Sequence, residues 1–310
     1  MRNRHARPTA LAVALILCCI GQFVAGQTPV QAAGRQVGTA PASKTPSSSS
    51  LAAAMMKLNQ IRVKELDTDV PVAAQPLLTK VKQELCGLIE ETLNHHDLRG
   101  VEPQGLRARI VSRLKSMGVA VAEPPTADME AATSTTPPFG ALLGLTLAIP
   151  DGYPNLLVAT TTLSIPCGED SSLYLFERQA DGWKLILAQE ANDYDSISDA
   201  QGSLGYAVGP ADGGQPFFVV MASVSPWCTS NWQGIRYTVM RPGKTANEPV
   251  ILFSTTDTIY LGNAEGYRMT ATLNGFIVEF ESSAPDNSEE VSAKKRIEYR
   301  VRGNKVAEQR

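Results

Sequence analysis

The chain has 310 residues, 43% of them hydrophobic, with 28 basic against 31 acidic side chains and a formal net charge of −3. That is enough apolar material for one large domain or two small ones, and the acidic balance excludes a surface that draws in nucleic acid or anionic lipid as a whole. Three histidines and five cysteines, with no His-Glu-x-x-His and no Cys-x-x-Cys, give no metal motif, so neither a metal nor a cofactor is expected.

Residues 1–26 read as a secretory signal peptide. Arg2, Arg4 and Arg7 make a positive start, and Leu11 to Ile20 is an apolar core of about ten residues, too short to cross a bilayer of about 30 Å as a helix. Val24-Ala25-Gly26 places small residues before Gln27, and Val30-Gln31-Ala32 offers a second cut. Cys18 and Cys19 lie inside the apolar core, and Cys18 follows Leu17 rather than a small residue, which argues against lipidation. The mature chain, with a net charge of −6, is expected to be secreted or periplasmic, with no transmembrane anchor and no affinity for nucleic acid.

Residues 27–50 are rich in Gln, Pro, Ala, Gly, Ser and Thr and read as a flexible linker. A helical segment is expected over 51–119. A first helix covers Leu51 to Leu66. A second carries Leu78, Val81, Leu85, Leu88, Ile89 and Leu93 at helical spacing, with Pro76 at its start and Gly100 at its end. A third runs from Pro103 with Leu106, Ile110, Leu114 and Met117 in register, antiparallel to the second. Residues 120–140, with Pro124-Pro125 and Pro137-Pro138, form a second linker and the expected domain boundary.

From Leu142 the period changes to that of strands. The Val/Thr/Leu-rich run 156–165 leads into 173–177 and 184–187, joined through Ala180-Asp181-Gly182. Further strands are expected at 217–224, 235–240, 250–254, 258–261, 267–273, 276–281 and 296–301. Asn274-Gly275 and Gly303-Asn304 read as hairpin turns, and Lys305-Val306 leaves room for a short last strand. The expected fold is therefore mainly β over 141–310, an antiparallel hairpin meander of propeller or sandwich type, with an N-terminal α-helical hairpin.

Two strands run into Pro-containing turns that each carry a cysteine, Ser164-Ile165-Pro166-Cys167 and Ser225-Pro226-Trp227-Cys228. In an oxidising compartment this predicts a Cys167–Cys228 disulfide at one rim of the β structure, with Cys86 left as a helix thiol. The segment Pro226 to Gln233 places Trp227, Asn231 and Trp232 around small polar residues, a composition that suits a sugar ring or a protein surface. Asn192 to Asp199 carries Asp193, Asp195 and Asp199, though Ile197 and Ser198 break the calcium-loop pattern. Glu91 and His95, four apart on a helix, and the basic face of Arg107, Arg109, Arg113 and Lys115 complete the notable groups.

No Gly-x-Ser-x-Gly elbow is present, and the only histidines of the mature chain are His95 and His96, on a helix far in sequence from any β-domain serine. The expected function is a non-enzymatic binding or scaffolding module, with Trp227, Asn231, Trp232, Asp193 and Asp195 as ligand-binding residues and a glycan or another exported protein as partner. The alternative is a carbohydrate-active hydrolase using Asp193, Asp195 or Glu169, which requires two carboxyls about 5–9.5 Å apart in one cleft.

Overall fold

The computed structural model describes residues 48–63, 69–95, 102–119, 121, 137–210, 217–261, 266–282 and 293–309. The leader, residues 27–47, His96, Gly100 and most of the 120–140 linker lie outside the described residues.

Among the described residues three helices come first: α1 (Ser48–Gln60), α2 (Gln75–His95) and α3 (Pro103–Ser116). The apolar stripe of α2 is buried along its whole length, and Leu106, Ile110 and Leu114 of α3 are buried beside it. α3 starts with Pro103 in its first turn, where a missing N–H costs nothing. α1 begins earlier and ends sooner than the periodicity suggests, stopping at Gln60.

Twelve strands follow among the described residues, in three antiparallel sheets of four strands each, every sheet a meander of consecutive strands. The first sheet holds β1 (Leu142–Ala148), β2 (Leu156–Ile165), β3 (Gly168–Gln179) and β4 (Gly182–Gln189). The second holds β5 (Leu204–Pro210), β6 (Phe217–Val224), β7 (Trp232–Arg241) and β8 (Val250–Tyr260). The third holds β9 (Tyr267–Thr272), β10 (Gly275–Ser282), β11 (Ala293–Arg302) and β12 (Lys305–Gln309).

The alternation of side chains sets the stacking. In the first sheet Leu157, Ala159, Tyr174 and Phe176 face the helices and share one core with Leu78, Leu85 and Ile89 of α2 and Leu106, Ile110 and Leu114 of α3. Leu156, Val158, Leu173 and Leu175 face the second sheet. There they meet Phe217, Val219, Met221 and Met240. On the other face of the second sheet, Phe218, Val220, Ile235, Tyr237 and Val239 meet Phe276, Val278, Ile297 and Tyr299 of the third. The layers therefore run helices, first sheet, second sheet, third sheet. β6 is buried at every residue because both its faces are covered, and so its sequence shows no alternation.

The helices and the first sheet thus share one core, and Thr45–Arg310 forms one compact unit. The outer face of the third sheet is a charge ladder in which Glu279 stands opposite both Arg268 and Arg296.

Besides α1, other details differ from the sequence reading, and β5 lies where no strand was expected. β8 is one strand, because Thr255, Thr256 and Asp257 keep pairing with Tyr237, Arg236 and Ile235. The hairpin loop between β9 and β10 is Leu273-Asn274, and Gly275 is already the first residue of β10, opposite Thr272. Gly275 is needed for space rather than for a turn: a Cβ there would sit 1.8 Å from the Tyr299 carbonyl oxygen.

Candidate ligand-binding site

The site is built on two loops that the disulfide joins. Cys167 and Cys228 are bonded, with Cα atoms 4.9 Å apart, linking the β2–β3 turn of the first sheet to the β6–β7 loop of the second. Ile165 pairs with Gly168, leaving Pro166 and Cys167 as a two-residue loop. Cys167 has φ 59°, a left-handed conformation that costs an L-residue about 1–2 kcal/mol. Pro followed by a positive φ is the pattern of a type II turn, where glycine is the usual occupant.

Around this bridge the loops pack closely. A Cβ on Gly168 would lie 2.8 Å from the Pro226 side chain, and one on Gly202 would lie 2.4 Å from the Val224 carbonyl oxygen. Ser230 Oγ accepts the Trp232 N–H at 2.9 Å, and the Asn231 carbonyl accepts the Leu261 N–H at 2.7 Å. At its other end the Ser225 N–H donates to the Gly234 carbonyl at 2.8 Å, and the loop so fixed holds Trp227 outward at 39% exposure. Trp232 is half-buried against Tyr260, with ring centroids 4.5 Å apart. Asn231 is exposed.

Two clefts flank Trp227. One, of about 370 Å³, lies on the side of Cys167, Glu169 and Ser203. The other, of about 420 Å³, is lined by Ser198, Asp199, Trp232 and Arg236. Pro226, Trp227 and Gln233 form the wall common to both. Among the described residues each cleft is lined by one carboxylate: Glu169 in the first and Asp199 in the second.

Asp193 and Asp195 are exposed and line neither cleft. Their stretch makes a turn instead. Asp199 Oδ2 accepts the N–H groups of Asp195 and Ser196 at 3.0 and 2.9 Å, and Ser196 Oγ accepts that of Ser198 at 3.2 Å, a capping box on the short 3-10 turn Ile197–Asp199. Among the described residues, no three His, Cys, Asp or Glu side chains converge as a metal site. Glu91 does not join His95 through its carboxylate, which instead takes Arg113 through both oxygens at 2.8 Å; His95 Nδ1 meets the Glu91 carbonyl. Arg107 donates to the Leu145 carbonyl at 2.7 Å, so two members of the basic helix face are occupied within the fold.

The sequence reading missed a polar cluster buried between α2 and the first sheet. Lys82 and Asp170 are both 0% exposed, with Lys82 Nζ 2.5 Å from Asp170 Oδ2. Lys82 also donates to the Ala191 carbonyl and the Tyr194 hydroxyl, each at 2.5 Å, and the Tyr194 hydroxyl reaches Asp170 Oδ2 at 2.5 Å. The Gln201 N–H donates to Asp170 Oδ1 at 3.1 Å. Beside it, the Tyr174 hydroxyl donates to Glu190 Oε1 at 2.6 Å. A signal existed: Lys82 falls on the Leu78–Leu85–Ile89 stripe, and Asp170 shares the inward parity of Tyr174 and Phe176.

Burial holds the carboxyls of Glu190 and Glu169 above the usual range. For Glu190 the neighbouring Asp170 adds to this, while the Tyr174 hydroxyl and Lys82 oppose it. A raised folded-state pKa means that the folded chain binds the proton more tightly than the unfolded one, so stability falls as pH rises from the ordinary value of 4.5 through the folded value. Replacing both by glutamine is expected to flatten that fall. Urea midpoints measured between about pH 4 and 8 on wild type and the double variant check this; parallel curves would contradict it.

No protein-family model, curated protein or solved structure matches this chain.

Proposed function

We propose that the protein is an exported, non-enzymatic binding module whose ligand is a glycan seated against Trp227. The observation that carries this reading is the position of Trp227: a partly exposed indole on a loop held by the Cys167–Cys228 bridge, forming the shared wall of two clefts. An indole face packs on the C–H face of a sugar ring, and neighbouring polar groups then orient its hydroxyls. Gln233 lines both clefts and Arg236 lines one. The rigid loop lowers the ordering cost of binding.

Export rests on the Arg-rich, short apolar leader and agrees with a disulfide in the mature chain. No helix among the described residues is long and apolar enough to cross a membrane. Binding is favoured over hydrolysis because each cleft has one lining carboxylate among the described residues, whereas glycoside hydrolysis uses a pair across one bond.

The test is a glycan-array and peptidoglycan pull-down screen with the mature protein. A bound glycan is expected, with Trp227→Ala lowering its affinity at least about tenfold and Trp232→Ala lowering it less, since Trp232 is half-buried. Unchanged binding in Trp227→Ala would remove this site from the reading, and release of reducing ends from the bound polymer would show an enzyme instead.

A further inference from the structure

We infer that Lys82 and Asp170 are the two ends of an intramolecular isopeptide bond, formed by condensation of the lysine amine with the aspartate carboxyl after folding. The geometry supplies the parts of that reaction. Nucleophile and electrophile are fully buried and in contact, with Lys82 Nζ 2.5 Å from Asp170 Oδ2. The pair joins α2 to β3, 88 positions apart in the chain, so folding alone brings them together. Holding two reactants at contact in a dry site removes the entropic barrier that a bimolecular condensation in water meets.

Four short contacts surround the reacting atoms: Nζ to Asp170, to the Ala191 carbonyl and to the Tyr194 hydroxyl, and that hydroxyl to Oδ2, all at 2.5 Å. The two carboxyl oxygens have different partners. Oδ2 faces the amine and the phenol, and Oδ1 accepts the Gln201 N–H at 3.1 Å.

In the condensation, one proton first passes from the Lys82 ammonium to Oδ2, leaving a neutral amine and a carboxylic acid. The Nζ lone pair attacks Cγ, and the negative charge that develops on Oδ1 is met by the Gln201 N–H. A second proton moves from Nζ to Oδ2, relayed by the Tyr194 hydroxyl that touches both atoms. The Cγ–Oδ2 bond breaks, water leaves, and an Nζ–Cγ amide remains whose N–H donates to the Ala191 carbonyl. No oxidant, reductant or nucleotide is consumed. Glu190, beside the cluster, lines a cleft of about 390 Å³ between α2 and β4.

Mass spectrometry of the purified mature protein, reduced and alkylated, tests this. Wild type is expected to be lighter than its sequence by one water, with a proteolytic fragment joining the segments around Lys82 and Asp170. Lys82→Arg and Asp170→Ala should each show their full sequence mass. Asp170→Asn should reach the wild-type cross-linked mass by releasing ammonia instead. Wild type at its full sequence mass overturns the inference, as does a water loss that maps elsewhere in the chain. The wild-type measurement decides the matter even if a variant fails to fold.

Discussion

Asp170→Ala is expected to be strongly destabilising, costing about 3–5 kcal/mol, the range for stripping one partner from a buried ion pair. Typical domains have only about 5–15 kcal/mol in total, so this is a large share. The reason is the isolation of Lys82. It is 0% exposed, and Asp170 is the carboxylate it touches among the described residues. Without Asp170 it must stay charged against a carbonyl and a phenol or give up its proton, and both are unfavourable. The Gln201 N–H loses its acceptor as well. With the two side chains joined, the substitution removes a covalent tie between α2 and β3 in place of an ion pair and leaves a free buried amine, and the direction is the same.

Equilibrium urea denaturation checks the size of the effect. The exposed pair Arg296–Glu279 serves as the reference, because surface pairs contribute about 0–1 kcal/mol. Lys82→Met with Asp170→Leu should recover the part of the loss that comes from the stranded amine, since it leaves no buried charge without a partner. The Ala191 carbonyl would keep the Tyr194 hydroxyl as donor at 2.9 Å, while the Gln201 N–H would still lack an acceptor, so recovery should be incomplete. Equal losses for Asp170→Ala and the surface control would show that the cluster contributes nothing beyond an exposed pair.

The parts of this fold that were legible in the sequence are those governed by local rules. The stripe of α2 and the hairpin at Gly303-Asn304 follow from periodicity and turn chemistry, and the structure has both. The Cys167–Cys228 bond was legible because its two cysteines share a context, a strand running into a proline turn. Less legible was anything that depends on how layers meet. β6 is covered on both faces, so its apolar run says nothing about which face meets which sheet. Gly275 reads as a turn residue but is required by the approach of the Tyr299 carbonyl from the neighbouring strand.

The candidate site divides in the same way. Trp227 stands out by composition and does line the clefts. Asp193 and Asp195 stand out equally and line neither, because their segment is a turn whose acceptor is Asp199. Lys82, Asp170 and Tyr194 come from three distant segments, and their meeting depends on how α2 seats on the first sheet. A lysine inside an apolar stripe signals a partner without identifying it.

Removing the disulfide with Cys167→Ser and Cys228→Ser is expected to lower stability by about 4 kcal/mol, from the chain entropy of a 61-residue separation. The bond crosses from the first sheet to the second, so its loss frees both loops of the site at once. Ligand affinity should fall along with stability, because the rigidity that holds Trp227 between its clefts goes with the bond. The conformation of Cys167 allows the two effects to be separated. Its φ of 59° costs about 1–2 kcal/mol in any L-residue, and glycine adopts it freely. Cys167→Gly with Cys228→Ser should therefore be more stable than the double serine variant by about 1 kcal/mol, less the entropy that glycine adds to the unfolded chain. Affinity should stay low in both variants, because neither restores the tie to the Trp227 loop. Urea midpoints and ligand titration on the two variants read these quantities independently. Full affinity in the glycine variant would show that the hydrogen bonds of Ser230 and Asn231 suffice to hold the loop, and that the bridge serves stability alone.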